Sequence, residues 1–276
     1  MKRFSLTILA ITLGLSTSFG QVLSPEDDGP ISKAERIYHN NQVIDFPLPR
    51  EIDQMFSHRH WERINIREKT NHHLYYPVVP LPDRKSLFDV LVDGIMNEGT
   101  IMEVFADDRF EIPYTPEEIA RNVMQVDTAW NRDNPFEWDY IDTITVTAKD
   151  VLYYTIKCDW YMDKRRGQME NYIIGLAPTV QHPKSKDIYP LFWVWFPDAR
   201  YALATNVAFN RNNNAARMTF DEVFKMRFFD SNIIKEDNVY DRAVADYKRR
   251  NNLDQLLESK RIKQELRNFE NDLWEY

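Results

Sequence analysis

The stretch VLYYTIKCDWYMDKRRGQMENYIIGLAPTV, residues 151–180, decides the fold class. Two runs rich in β-branched and aromatic residues, Val151 to Met162 and Gln168 to Val180, flank Asp163-Lys164-Arg165-Arg166-Gly167, a polar segment with hairpin-turn chemistry. Strands this close in sequence pair antiparallel. Similar runs stand on either side, Asp142 to Thr147 and Leu191 to Pro197, so the middle of the chain reads as an antiparallel meander.

Helices are predicted around this centre. Ser86 caps a helix running to about Asn97, with Leu87, Val90, Leu91 and Ile95 on one face and Gly99 just past its end. A hairpin is expected around Ala106-Asp107-Asp108-Arg109, between Ile101–Phe105 and Phe110–Ile112. Thr115-Pro116-Glu117-Glu118 then gives an N-cap, a proline at the first helical position and acids in the first turn. A further helix runs from Thr219 to about Phe229 and aligns without gaps on the first. Phe88-Asp89 falls on Phe220-Asp221, and Ile101-Met102 on Ile233-Ile234. A Trp-bearing strand that ends near an Arg precedes each, Trp61 to Arg67 and Trp193 to Arg200, and we read the pair as an internal duplication of strand, loop, helix and strand.

The ends differ from the centre. From Asp241 the chain is expected to be helical to its end, with Ile262, Leu266, Phe269 and Leu273 gathered into one stripe that packs on its own domain. Residues 1–20 read as a secretory signal peptide: Lys2 and Arg3, an apolar stretch from Phe4 to Leu15, and Ser18-Phe19-Gly20 before Gln21. Gln21 is not a cysteine, so no lipid anchor is expected there, and the mature chain is expected to be exported and soluble. Residues 21–58, with Pro25, Pro30, Pro47 and Pro49, read as an extended arm whose Val43, Ile44, Phe46 and Leu48 need another surface to bury them. The expected organisation is a signal peptide (1–20), an arm (21–58), an α+β core (59–240) with an antiparallel sheet and peripheral helices, and a long C-terminal helix (241–276).

Composition narrows the function. With 43% hydrophobic and 13% aromatic residues the chain folds. Losing Lys2 and Arg3 with the leader takes the formal charge from −8 to −10, which disfavours nucleic acid as a partner. The single cysteine, Cys158, lies in an aromatic run and reads as a buried, inert thiol. There is no G-x-S-x-G, H-E-x-x-H, P-loop or G-x-G-x-x-G signature. On a strand His58, His60 and Glu62 would share a face, as metal ligands can, which leaves a metal-assisted hydrolase as the alternative of another class, beside a soluble carrier of cargo. No catalytic, cofactor or metal residue is assigned.

Seven Trp and fourteen Tyr instead favour an assembly subunit, since these residues and Arg anchor interfaces. The candidate patch is the strand and loop from Trp61 to Pro77. Trp61, Arg63 and Arg67 would share one strand face, and Tyr75 and Tyr76 would follow in a Pro-stiffened, non-helical loop; the competing reading is that Trp61 and the tyrosines fill the core and Arg67 pairs with a nearby acid. The stretches WERINIREKTNHHLYYP (61–77), SLFDVLVDGIMNEGTIMEVF (86–105), KCDWYMDKRRGQMENYIIGLAP (157–178), FWVWFPDAR (192–200) and TFDEVFKMRFFDSNIIKEDNVYDR (219–242) together resemble the gliding motility protein family GldN, called PorN in non-gliding relatives. The resemblance implies a non-enzymatic periplasmic subunit of the type IX secretion system. Such a subunit would form a ring with copies of itself and an outer-membrane lipoprotein, GldK or PorK. It would also meet the periplasmic part of the motor protein GldM or PorM. No catalytic residues come with it.

Overall fold

A computed structural model describes residues 43–45, 49–81, 84–130, 138–181, 188–210, 213, 218–249 and 251–274. The expected signal peptide, the arm through residue 42, Phe46 and Leu48 lie outside the described residues, as does the Leu273 side chain.

In chain order the elements are β1 (Gln54–Asn65), α1 (His72–Tyr75), α2 (Leu87–Met96), β2 (Val104–Phe105), α3 (Pro116–Val123), β3 (Met124–Trp130), β4 (Trp138–Thr145), β5 (Val151–Asp163), β6 (Gln168–Gln181), β7 (Ile188–Pro190) and β8 (Trp193–Trp195). There follow α4 (Phe196–Thr205), β9 (Val207–Ala208), β10 (Met218–Thr219), α5 (Phe220–Lys225), β11 (Asn232–Glu236), α6 (Val244–Tyr247) and α7 (Asn252–Trp274). One seven-stranded antiparallel sheet dominates, in the order β11-β1-β5-β6-β8-β2 with β7 also on β6. The β5–β6 hairpin sits at its centre and turns through Gly167, whose φ of 63° suits glycine. The fold is α+β with a long C-terminal helix, as the sequence pattern predicts.

Of the segments aligned in the sequence, β2 pairs with β8 and β11 with β1; Ile101-Met102, aligned on Ile233-Ile234 of β11, precede β2 and are not in a strand. The aligned Phe88 and Phe220 are both fully buried in the main core.

Both faces of the sheet are covered. On one, Ile64, Tyr154, Ile156 and Leu176 form a single buried cluster with Phe88 and Leu91 of α2, Leu203 of α4, and Phe220 and Phe224 of α5. Each such side chain stabilises the fold by about 1.5–3 kcal/mol relative to exposure. On the other, Trp61, Phe105, Ala177 and Trp193 pack with Phe110 and Trp195. The hairpin expected near residues 106–109 is there as a loop that Ala106 and Tyr114 close by backbone bonds to Ile112 and Val104.

Helix starts follow the sequence more closely than helix ends. Ser86 and Thr115 cap as expected, Thr219, read as the first residue of its helix, is the cap instead, and Thr115 and Thr219 form full capping boxes with Glu118 and Glu222. The helix expected to reach Phe229 ends at Lys225. Arg227 takes a left-handed φ of 50°, its N–H bonds to Phe224 O and that of Phe228 to Val223 O, a Schellman stop without glycine. The run Leu191 to Pro197 is not all strand either: Phe196-Pro197 opens α4, where proline's missing N–H costs nothing. β1 begins at Gln54, inside the expected arm. The C-terminal region breaks into α6 and α7, after a loop that the Asn238 side chain organises by accepting from the N–H groups of Tyr240 and Arg242. On α7, Ile262 is buried against Ile233 and Val244, and Phe269 lies 4.4 Å from Phe56, so the stripe packs on its own sheet.

Candidate functional site

Strand β1 carries most of the residues singled out in the sequence, and the structure sends them to different places. Trp61 is buried on the second face, where its indole N–H donates to Asp108 Oδ2 at 2.9 Å and the Lys157 and Lys235 ammonium groups lie over its ring. Arg63 is half-buried, with its guanidinium 5.0 Å above the Tyr153 ring. Arg67 does not share their strand face: β1 has ended at Asn65, and Arg67 is exposed in the turn.

Glu62 is not grouped with the histidines. Its carboxylate is 1% exposed and accepts from Arg227 Nη2 at 2.5 Å, Ser231 Oγ at 2.6 Å and Trp160 Nε1 at 3.3 Å. Burial pushes its pKa up, but Arg227 and Ser231 prevail and hold it at about 2. A group so placed is a permanent anion and a poor general base near neutral pH. That corrects the triad read from the sequence. The third member is Glu236, which faces His60 across the β1–β11 ladder and lies with His58 and His60 so that their ligand atoms fall within 4.8 Å of one another.

Cys158 is fully buried with its Sγ 3.3 Å from Glu62 Oε1. Burial and the Glu62 charge raise its pKa well above the usual thiol value, so it stays protonated and inert.

A concavity lies beside the predicted loop. A cavity of about 720 Å³ is walled by Tyr76, Phe209, Phe228, Phe229, His73 and Arg227, among others. Tyr75 is not in a non-helical loop: it ends the one-turn helix α1 and packs partly on the core, and only at Tyr76, before Pro77, does the backbone become extended. Tyr76 is 47% exposed, Phe209 40% and Phe228 51%, and the Arg84 guanidinium stacks 5.0 Å from the Phe209 ring. Among the expected arm anchors, Val43 is half-buried and Ile44 exposed. The carbonyl of Ile44 accepts from Arg200, and that of Asp45 from Lys225 at 3.4 Å. This short piece therefore lies on its own domain, beside the Arg200–Asp221 ion pair.

The family model for the gliding motility associated protein GldN matches residues 49–275, more than four-fifths of the sequence. The chain belongs to the GldN family. A comparison with curated proteins finds no match. Membership makes this GldN-family chain a component of the gliding motility and type IX secretion apparatus, and the family is one of structural components rather than a known enzyme family. Among the described residues no helix is long and apolar enough to cross a membrane.

Against that background the aromatic cavity of the GldN-family chain has the composition of an interface: exposed rings with an Arg stacked at the rim. Sequence reasoning reached Tyr76 but missed Phe209 and Phe228. Phe228 falls inside the helix expected to run to about Phe229, and the Schellman turn that ends α5 early is what brings it to the cavity wall; Phe209 follows β9. Arg227 and Ser231 were equally hidden. The one available signal was Glu62 itself, since an acid within an apolar strand demands a cation, but nothing in the sequence says which.

Proposed function

We propose that this chain is a non-enzymatic structural subunit of the type IX secretion machinery. It acts in the periplasm, in a ring with copies of itself and an outer-membrane lipoprotein of the GldK/PorK type, and touches the periplasmic part of a GldM/PorM-type motor protein. The family match over residues 49–275 carries this reading. Two features support it. The N-terminal twenty residues have the charge and apolar pattern of an export signal. The exposed rings Tyr76, Phe209 and Phe228 around one concavity are the residue types that anchor protein contacts.

The test is co-purification from intact cell envelopes through an affinity tag on this chain. A stable complex with a lipoprotein and further copies of the chain, large enough to be seen as rings by electron microscopy, is expected. Recovery as a free monomer, or in a dissociable complex with secreted cargo, overturns the reading in favour of a carrier.

A further inference from the structure

We propose that His58, His60 and Glu236 form a binding site for a divalent transition metal, with zinc the ion that best suits the donors. His58 and His60 alternate along β1 and so project from the same face, while Glu236 stands directly opposite His60 on β11. Ladder hydrogen bonds fix all three backbones. β11 is further held by Ser259 Oγ, which accepts from the Ile233 N–H at 2.7 Å. The site is thus built on paired strands.

The distances suit a metal. His58 Nδ1 and His60 Nε2 are 3.1 Å apart, close to the roughly 3.3 Å between two nitrogens bound at tetrahedral angles to one zinc. The ligand atoms of all three residues lie within 4.8 Å of each other, so a carboxylate rotation completes the approach. Two imidazoles and one carboxylate are a borderline donor set that favours zinc over calcium or magnesium, and three protein ligands leave a fourth position for water.

His60 is buried at this site. Its ring is 1% exposed, and among the described residues Nδ1 has no hydrogen-bond partner. The ring's polar atoms are then served by little beyond one imidazole–imidazole contact, a costly way to bury them. Around the site, Phe56 stacks 6.3 Å from His58 and meets Phe269 of α7, giving an apolar wall on one side. A bound ion would clamp the edge strand β11 to β1, next to the packing of α7.

The experiment uses the purified protein, stripped with EDTA, desalted and titrated with zinc chloride by calorimetry. One equivalent per chain is expected, with a melting temperature raised by on the order of 5 °C at a hundredfold excess over Kd. Cobalt(II) in place of zinc should give the visible absorption of tetrahedral coordination. His58→Ala and Glu236→Gln, both at half-buried positions, should each weaken binding tenfold or more with the circular dichroism unchanged, whereas His72→Ala should not. A dissociation constant weaker than about 0.1 mM for the unaltered protein overturns the site. Unchanged zinc affinity in both variants also overturns it, by moving the ion elsewhere.

Discussion

Arg227 reaches the buried carboxylate of Glu62 at 2.5 Å from the Schellman turn that ends α5, on the far side of 165 residues of chain. The same guanidinium stacks 4.9 Å from the Trp160 ring and 5.2 Å from that of Phe229, and it donates to Asn171 Oδ1 at 2.9 Å. One cation thus joins β1, β5, β6 and the α5–β11 turn. The left-handed backbone at Arg227 costs on the order of 1 kcal/mol, which these contacts offset.

Breaking this pair should be among the most damaging single changes in the fold. Arg227→Ala leaves a buried, unpaired carboxylate and should cost about 3–5 kcal/mol. Arg227→Gly should cost about 1 kcal/mol less, because glycine relieves the positive φ. Urea unfolding of the two variants checks both magnitudes. Equal losses would mean that the turn is unstrained, and a loss under about 1 kcal/mol that Glu62 finds another partner or water.

The pH dependence follows from the same carboxylate. Glu62 titrates at about 2 when folded, below its ordinary 4.5, so the unfolded chain binds its proton first as pH falls. Its contribution is fully present above about 4.5 and is lost as pH drops toward 2, by roughly 3 kcal/mol. Chelator-treated protein melted across pH 2–6 should therefore lose stability more steeply than Glu62→Gln. Parallel curves would sink the assignment.

These relationships show what local sequence holds and what it does not. The β5–β6 hairpin was legible because strand period, turn residues and Gly167 all agree within thirty residues. The starts of α2, α3 and α5 were legible because a cap is a contact over three residues. The end of α5 was not, since an arginine stands at the left-handed position where glycine is the usual marker. The site on β1 was half legible. The spacing of His58 and His60 fixes their common face, but register across the ladder, set 170 residues later, brings in Glu236 and leaves Glu62 to Arg227. Trp61 and Arg63 looked like interface residues because β1 alternates, and an alternating strand gives no sign that the 105–113 loop will cover its second face.

That cover depends on Gly175. A Cβ built there would lie 2.4 Å from Phe110 Cζ, and Phe110 is itself wedged edge-on against Phe105 and Trp195 at 5.4 and 5.0 Å. Gly175→Ala should displace the loop and cost about 1–3 kcal/mol. The clash is specific to one ring, so the double variant with Phe110→Ala should lose clearly less than the two single losses added together. Additive losses in the double-mutant cycle would show that Gly175 matters through its backbone and not through Phe110.

The interface reading can be separated from the core reading by two substitutions at the same end of β1. Arg63 is half-buried over Tyr153, and its Nε has no partner among the described residues, so Arg63→Ala should alter stability by about 0.5–2 kcal/mol, through lost packing and cation–π contact, without touching a partner. Tyr76 is nearly half exposed at the mouth of the aromatic cavity, beside Phe209 and His72. Tyr76→Ala should therefore leave thermal melting within about 1–2 °C of the unaltered protein and weaken capture of the proposed lipoprotein partner by tenfold or more, the loss expected when an aromatic anchor leaves the centre of an interface. Phe209→Ala should behave like Tyr76→Ala, because the two rings wall one concavity from separate segments. If both variants melt normally and still capture the partner in full, the cavity is not the contact. The exposed Leu253, Leu256 and Leu257 on α7 are then another apolar surface open to a partner.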